Sequence, residues 1–301
     1  IWGAYAGLSD AGLGCPDWPG CYGHVGVPAS PAALDRANEA FAHRPVEPAK
    51  AWKEMVHRYA AGLLGLVVLG LTVSAWRRAA GRALATALLA LIAFQAALGM
   101  WTVTLLLKPV VVMGHLLGGF SVLSLLWLGY LGARSFVPNR HRPPAQLRRL
   151  AFVGIVVLVV QIALGGWTSA NYAALACPTF PKCMGEWWPP MDMKDGFVLW
   201  RGLGVNYEFG VLDSPARVAV HMAHRAWAVV TFLYLGAVGI YALRQTGPLR
   251  AAAAVMFPPP PPPVSPGSAT RLLPPSLPST PLTLAYRGRA SLALLALHPH
   301  P

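Results

Sequence analysis

Residues 52–76 read WKEMVHRYAAGLLGLVVLGLTVSAW, and two arginines, Arg77 and Arg78, follow directly. From Tyr59 to the end of this stretch, 18 consecutive residues carry no charge. At a rise of about 1.5 Å per residue, such a helix covers nearly the whole hydrocarbon layer of a bilayer, which is about 30 Å thick. The stretch therefore predicts a membrane-spanning helix with a basic end.

Four further apolar runs have a similar length, at residues 84–107, 110–132, 150–170 and 214–243. Of the 301 residues, 55% are apolar and 12% are charged, whereas about 25% of a typical soluble domain is charged. This composition argues against a soluble globular enzyme, a disordered chain and a disulfide-dense secreted domain. The predicted fold class is an all-α integral membrane protein with about five full spans.

The distribution of charge predicts which ends of the spans face the cytoplasm. A net charge of +13 would suit nucleic-acid binding, but every acidic residue falls within residues 10–54 or 186–213. Clusters of basic residues alone occupy the connections at 77–82, 134–149 and 244–250. Because basic loops stay on the cytoplasmic side, we expect a multi-pass protein of the bacterial inner membrane with periplasmic acid-bearing loops. Its surroundings are then the lipid bilayer, and no nucleic-acid partner is expected.

An internal repeat relates the two halves of the chain. GAYAGLSDAGLGCPDWPGC at 3–21 and GGWTSANYAALACPTFPKC at 165–183 share glycine, cysteine and proline positions at a constant offset of 162. A His-Arg pair recurs as well, at 57–58 and 224–225. The repeat predicts two four-helix bundles, four plus four helices in the parent protein, of which this chain carries about the middle five as full spans.

Two shorter runs also match each other. They are QAALGMWT at 95–102 and QIALGGWT at 161–168. We interpret both as helix packing, with their tryptophans in the aromatic belt at the membrane surface.

The repeat divides the chain into two halves and a tail. We expect residues 1–135 to form an N-terminal bundle, which begins with the outer end of a first helix, and residues 136–250 to contribute two spans to a C-terminal bundle. Residues 251–301 hold thirteen of the 29 prolines. Proline breaks helices, so this segment predicts an irregular tail outside any bundle, either a misread reading frame or a genuine Pro-rich linker.

Two histidines inside predicted spans are candidate metal ligands. His57 and His115 each lie about five residues inside the outer end of a different helix. Histidine within a membrane is costly and usually functional, and axial ligation of a heme iron needs two imidazoles at matching depth. The alternative is two unrelated polar residues. Glycines flank both histidines, and they suit either a flat porphyrin or close helix packing.

Other polar residues near these histidines suggest further roles. Glu54 lies three residues before the first histidine, where a carboxylate can act as a general acid or base, or simply reach water at the interface. Arg58 and Arg225 follow the repeated histidines and would pair with heme propionates or anchor the helix at the interface. His224 matches the first histidine, whereas His221 takes the place of the glutamate. The two halves are therefore expected to have different functions.

All four cysteines fall in the external loops. Cys15 and Cys21 form one closely spaced pair, and Cys177 and Cys183 form the other. An oxidising periplasm and the local repeat predict two short-range disulfides. A zinc site made of all four cysteines is the alternative.

Five motifs occur together in this chain: AGLGCPDWPGCYG at 11–23, EMVHR at 54–58, MGHLLGGF at 113–120, ACPTFPKC at 176–183 and HMAHR at 221–225. In combination they resemble heme A synthase, in its bacterial form with Cys pairs in both large external loops. The resemblance covers roughly residues 1–245.

This resemblance implies an enzyme that oxidises a porphyrin methyl group of heme O to a formyl group, which gives heme A for terminal cytochrome oxidase. It assigns His57 and His115 to the substrate heme, Glu54 to catalysis and His224 to a heme b cofactor. The implied partners are heme O, supplied by a heme O synthase, and the assembly machinery of cytochrome oxidase.

The resemblance also implies that most of the first helix and the last two helices are missing. The second ligand of heme b belongs to the last helix, and His298 and His300 in the tail do not match it. The chain is therefore expected to be inactive alone. The alternatives to an enzyme are a heme-binding electron carrier of the cytochrome b type and a non-enzymatic heme chaperone for oxidase assembly.

Overall fold

The computed structural model describes residues 2–133 and 144–245. In these residues every regular element is a helix, in the order α1 (Trp2–Leu8), α2 (Pro31–Ala40), α3 (Pro48–Arg78), α4 (Arg82–Thr104), α5 (Pro109–Ala133), α6 (Ala145–Ala170), α7 (Met193–Gly196) and α8 (Ser214–Leu243). Helices α3, α4, α5, α6 and α8 are long and apolar enough to span a membrane. The predicted fold class and the five spans are confirmed.

The ends of α3 follow from its sequence. Pro48 at the first position lacks an N–H group that the helix would leave unpaired in any case. Arg77 and Arg78 occupy the last turn, where cations interact favourably with the negative end of the helix dipole. Ala79 then adopts a left-handed conformation with φ 55°, and its N–H donates to carbonyl groups of the last turn.

Four of the five spans differ from their predicted bounds. Helix α3 begins four residues earlier, at Pro48, and ends two residues later, at Arg78, and α5 is longer by one residue at each end. Helix α4 ends at Thr104, because Leu106 and Leu107 have φ values of 52° and 60° and turn the chain.

Helix α6 begins at Ala145, five residues before the predicted position. The prediction missed these residues because they are mostly polar or basic. The prediction rested on where the apolar residues begin and end, whereas a helix ends where its backbone hydrogen bonds end, and the two positions differ here.

Helix α4 packs against both α3 and α5, and the three helices share a small core. Val68, Leu88 and Val122 contribute one buried side chain each. The Thr72 hydroxyl donates to a carbonyl of its own helix and lies 3.1 Å from the Ala85 carbonyl of α4. Many large apolar side chains on the outer faces are exposed, as lipid-facing residues are, among them Leu63, Leu66, Leu123, Phe152 and Phe232.

Each cysteine pair lies in a compact loop that packs on the following spanning helix. Cys15 and Cys21 are buried in a cluster with Met55 of α3. Cys177 and Cys183 are buried with Val218 of α8. The internal repeat is therefore a repeat of structure as well as of sequence.

The packing of the chain forms two compact units. The described part of the larger unit comprises residues 2–133 and 155–232, and that of the smaller unit comprises residues 144–154 and 233–245. The division at 135 and 250 by sequence repeat stays a prediction. The predicted tail at 251–301, with His298 and His300, lies outside the described residues.

Candidate functional site

Helices α3 and α5 bring His57 and His115 together. The centroids of the two rings lie 6.4 Å apart, with the ring planes at 78°. Metal–imidazole bonds of about 2 Å on opposite sides of one iron atom put the ring centres about 6 Å apart. The observed separation therefore fits a heme iron between the two imidazoles.

Glycines of neighbouring helices lie against both rings. A Cβ atom at Gly3 of α1 would lie 2.9 Å from Cε1 of His57, and one at Gly99 of α4 would lie 3.4 Å from Cε1 of His115. Nδ1 of His115 is buried and makes no well-formed hydrogen bond among the described residues. The neighbouring helices thus hold the rings closely, and the donor set is the imidazole pair that heme iron takes.

Glu54 lies one turn before His57 and is 6% exposed. Its Oε2 accepts a hydrogen bond of 2.9 Å from the backbone N–H of Cys15. Its Oε1 forms an ion pair with the guanidinium group of Arg58. A buried carboxylate with these partners is held in one position beside the histidine pair.

Arg58 also joins α3 to the first Cys loop. Its Nη1 donates to the carbonyls of Asp17 at 2.9 Å and of Pro19 at 3.3 Å, and it donates to the Gly20 carbonyl as well. The Asp17 carboxylate in turn accepts from the backbone N–H of Tyr22 at 2.6 Å. The guanidinium group is thus occupied by the loop and by the glutamate. The predicted pairing of Arg58 with a propionate stays a prediction.

The Tyr22 side chain closes the other side of this loop. Its hydroxyl donates to the Pro45 carbonyl at 3.1 Å. Burial raises the pKa of Tyr22 above its ordinary value, so the hydroxyl keeps the proton that it donates.

Both predicted disulfides are present. Sγ of Cys15 lies 2.05 Å from Sγ of Cys21, and the distance between the sulfurs of Cys177 and Cys183 is 2.02 Å. All four cysteines are thereby paired, and the alternative of a four-Cys zinc site is wrong.

The second half repeats the arrangement around His224 of α8. A Cβ atom at Gly165 of α6 would lie 3.2 Å from Cε1 of this histidine. Nε2 of Gln161 lies 3.2 Å from its Nδ1. His221, which takes the place of the glutamate, donates from Nδ1 to the Ala173 carbonyl at 2.8 Å. The second half thus has no carboxylate in the position of Glu54.

Arg225 matches Arg58 in structure. Its two terminal nitrogens donate to the carbonyls of Cys177 and Thr179, each at 2.9 Å. In both halves the arginine after the repeated histidine therefore binds the backbone of a disulfide loop. The predicted pairing of Arg225 with a propionate stays a prediction.

Comparison with known proteins identifies the family. Residues 1–258 match the COX15-CtaA model, which is described as a cytochrome oxidase assembly protein. The chain belongs to this family.

Relatives named heme A synthase include the protein of Shewanella oneidensis, which is 45% identical over 302 residues, 99% of this chain and 89% of that protein. The heme A synthase of Halalkalibacterium halodurans is 26% identical over 83% of this chain and 73% of its own length. The heme A synthase of Shouchella clausii is 30% identical over 63% of this chain and 60% of its own length. The resemblance inferred from the five motifs is confirmed.

In this member of the COX15-CtaA family, two basic side chains of the first half, Arg44 and Lys108, bind the loop at residues 198–212. The Arg44 guanidinium of the first loop pairs with Glu208 at 2.6 Å. Lys108 is 1% exposed, its ammonium lies 3.3 Å from the centre of the Trp200 ring, and it donates to the Gly202 carbonyl. A buried ammonium with such partners anchors the loop to the turn between α4 and α5.

Sequence reasoning missed these anchors and the glutamine beside His224. The loop anchors join residues far apart in the sequence, and no motif marks them. Gln161 does belong to the repeated run QIALGGWT, which was interpreted as packing alone. The same run occurs in both halves, and this recurrence was the signal that could have pointed to a role for its glutamine beside a histidine.

Proposed function

We propose that this chain is a heme A synthase, a membrane oxidoreductase that converts heme O into heme A. The observation that carries the proposal is the pair of facing imidazoles of His57 and His115, whose centroids lie 6.4 Å apart inside the spanning helices. The 45% identical relative named heme A synthase supports the same activity. An oxidoreductase of this kind acts on the porphyrin within the bilayer.

His57 and His115 would bind the iron of heme O on its two faces and so orient the macrocycle in the first half. The iron supplies the oxidative chemistry that amino-acid side chains lack. Oxidation of a methyl group releases protons, and Glu54 is the buried carboxylate nearest in sequence to the ligand pair. Its ion pair with Arg58 keeps it in position to accept a proton.

The second half would hold a heme b through His224, and its role is electron transfer. The absence of a carboxylate at the position of His221 supports this difference between the halves. Arg58 and Arg225 would pair with heme propionates in addition to the loop carbonyls that they bind.

The remaining parts of the proposal concern surroundings and partners. The chain lies in the bacterial inner membrane, with both disulfide loops on the periplasmic side. It takes heme O from a heme O synthase and delivers heme A to the assembly machinery of cytochrome oxidase. Five apolar helices and two disulfides in the external loops support this placement.

The test is to reconstitute the full chain in air-saturated lipid nanodiscs with heme O and a soluble redox mediator that exchanges electrons with the protein, and to extract and identify the hemes by mass spectrometry. We expect heme A from the wild-type chain and none from His57→Ala or His115→Ala. His24→Ala is the matched control, since this histidine lies exposed in the first Cys loop.

The outcome separates the three candidate functions. Heme A formed by the wild-type chain supports the proposal and contradicts the expectation that the chain is inactive alone. Heme O that is bound and released unchanged contradicts the proposal and fits a heme chaperone. A bound heme that only changes oxidation state fits an electron carrier.

A further inference from the structure

Two glutamines occupy equivalent places beside the candidate ligands. The runs that begin with Gln95 and Gln161 both read Gln-x-Ala-Leu-Gly, so a glycine follows each glutamine one helical turn later. Gly99 lies against His115, and Gly165 lies against His224. In each half a glutamine is therefore one turn away from the glycine that backs an imidazole.

In the second half the glutamine contacts the imidazole directly. Nε2 of Gln161 lies 3.2 Å from Nδ1 of His224. The other end of this amide, Oε1, is buried and has no hydrogen-bond partner among the described residues. In this orientation the amide donates to the imidazole, which requires the proton of the ring to be on Nε2.

Iron binding reverses this requirement. A histidine that binds a metal through Nε2 carries its proton on Nδ1, and this proton is normally donated to a neighbouring acceptor. Turning the Gln161 amide over would bring Oε1, the unpartnered atom, to Nδ1 of His224. A glutamine can thus serve both states of the ring, because one end of the amide donates and the other accepts.

In the first half the same groups are present without the contact. Gln95 is 9% exposed, and neither its Oε1 nor its Nε2 has a hydrogen-bond partner in the described part of the chain. Nδ1 of His115 is likewise buried without a well-formed hydrogen bond, although the backbone carbonyl of Gln95 also interacts with this ring. Buried polar atoms without well-formed hydrogen bonds are uncommon, and three of them on adjacent turns of α4 and α5 call for a reason.

The Gln95 amide occupies space that a side chain at position 118 would otherwise fill. A Cβ atom at Gly118, one turn beyond His115 on α5, would overlap the Gln95 amide. A glutamine in this position therefore requires glycine opposite it. Leucine or methionine would fill such a space without leaving polar atoms unpaired, so packing alone does not explain the choice.

We propose that Gln95 and Gln161 are positioning residues, which accept the Nδ1 proton of His115 and His224 when these histidines bind heme iron. The inference rests on the proposed function and adds to it the groups that set the orientation and basicity of the ligands. The hydrogen bond fixes the tautomer that leaves Nε2 free for iron.

The test titrates the full chain with hemin in nanodiscs and measures affinity and midpoint potential. Gln95→Leu removes the acceptor at nearly constant volume, and we expect hemin binding about 10- to 100-fold weaker, the range typical for lost metal-site partners. The potential of bound hemin should rise, because the imidazole becomes less basic. Gln95→Glu keeps an acceptor, so binding should be retained while the potential falls.

Gln161→Leu should have the same effects on any hemin whose binding is lost in His224→Ala. Gln146→Leu is the matched control on the same helix, since this exposed glutamine contacts only the Tyr241 hydroxyl at 3.4 Å. A loss of packing alone would weaken binding in both the Leu and the Glu variants of Gln95, without potential shifts of opposite sign.

The outcomes separate this inference from the proposed function. Hemin that binds the wild-type chain and Gln95→Leu equally well, with equal potentials, contradicts the role of the glutamine and leaves the proposed function standing. A wild-type chain that binds no hemin, or that binds it equally after His115→Ala, contradicts the proposed function and the inference with it.

Discussion

The backbone N–H of Cys15 donates a hydrogen bond of 2.9 Å to the carboxylate of Glu54. The donor belongs to the first disulfide loop, which precedes the spanning helix α3, and the acceptor lies on that helix, which also carries His57. Since the carboxylate also pairs with Arg58, which binds the backbone of the same loop, the loop and the helix share one buried ion pair. Changes in the loop should therefore reach the candidate catalytic group.

Removal of each disulfide separates stability from activity. A disulfide that closes so short a loop contributes about 2 kcal/mol to stability, so Cys15→Ser with Cys21→Ser and Cys177→Ser with Cys183→Ser should lower the free energy of unfolding similarly. Only the first double variant should also reduce heme O oxidation, because only its loop holds Glu54. Denaturation and turnover in the same nanodiscs measure both effects, and equal turnover in the two double variants would contradict the coupling.

Glu54→Gln should retain bound heme and stop its oxidation. The amide keeps an acceptor for the Cys15 N–H but cannot take up a proton as a carboxylate does. Stability should also fall, by about 3 kcal/mol or more, since Arg58 loses its buried counter-charge. Glu47→Gln is the control, because Glu47 forms an exposed pair with Lys50 that contributes under about 0.5 kcal/mol. Full heme A formation by Glu54→Gln would disprove the assigned role.

Gly3→Ala should weaken heme binding, whereas Gly7→Ala on the same short helix should not. A Cβ atom at Gly3 would press on the His57 ring at 2.9 Å, and one at Gly7 would meet nothing within 4 Å. Overpacking of this kind costs about 1–3 kcal/mol, which would raise the dissociation constant by about 5- to 150-fold if the cost falls on the bound state. Hemin titration of the two variants measures the difference, and identical affinities would place the His57 ring elsewhere.

Lys108→Met should release the second external loop. The variant loses the cation over the Trp200 ring and leaves the Gly202 carbonyl without its donor. Limited proteolysis should then cut residues 198–212 faster than in the wild type. Lys50→Met, which removes only a surface ion pair, should leave the cutting rate unchanged. Equal cutting in Lys108→Met would show that the loop is held by other contacts.

The spans were predictable because their signal is local. Each has about 20 apolar residues, and Arg77 and Arg78 mark a basic end of the kind that membrane orientation requires. The end of α4 was misplaced because Leu106 and Leu107 are apolar yet turn the chain. Helix α2 was missed, although Ser30 caps it and Pro31 opens it, because it is only ten residues long and amphipathic rather than uniformly apolar.

The internal repeat made the ligand helices and the cysteine pairs of the candidate site predictable, but not the other contacts. The offset between His57 and His224 pointed to matching ligand helices, and the cysteine spacing pointed to two local disulfides. The partners of Arg58 and Arg225 depend on how a loop folds back on its helix, and the sequence of neither element states that. Lys108 shows the same limit, since its partners lie more than 90 positions further along the chain.

The outer faces of the spans have a consequence for access. In the most apolar continuous 18-residue segment of α3, 11% of the residues are buried among the described residues, and the same fraction holds for α5. Within the described residues, little protein covers these faces of the helices that carry His57 and His115, so a hydrophobic porphyrin would not need an opening to water. Such a porphyrin would enter from one leaflet between two helices, and the product would leave in the same way.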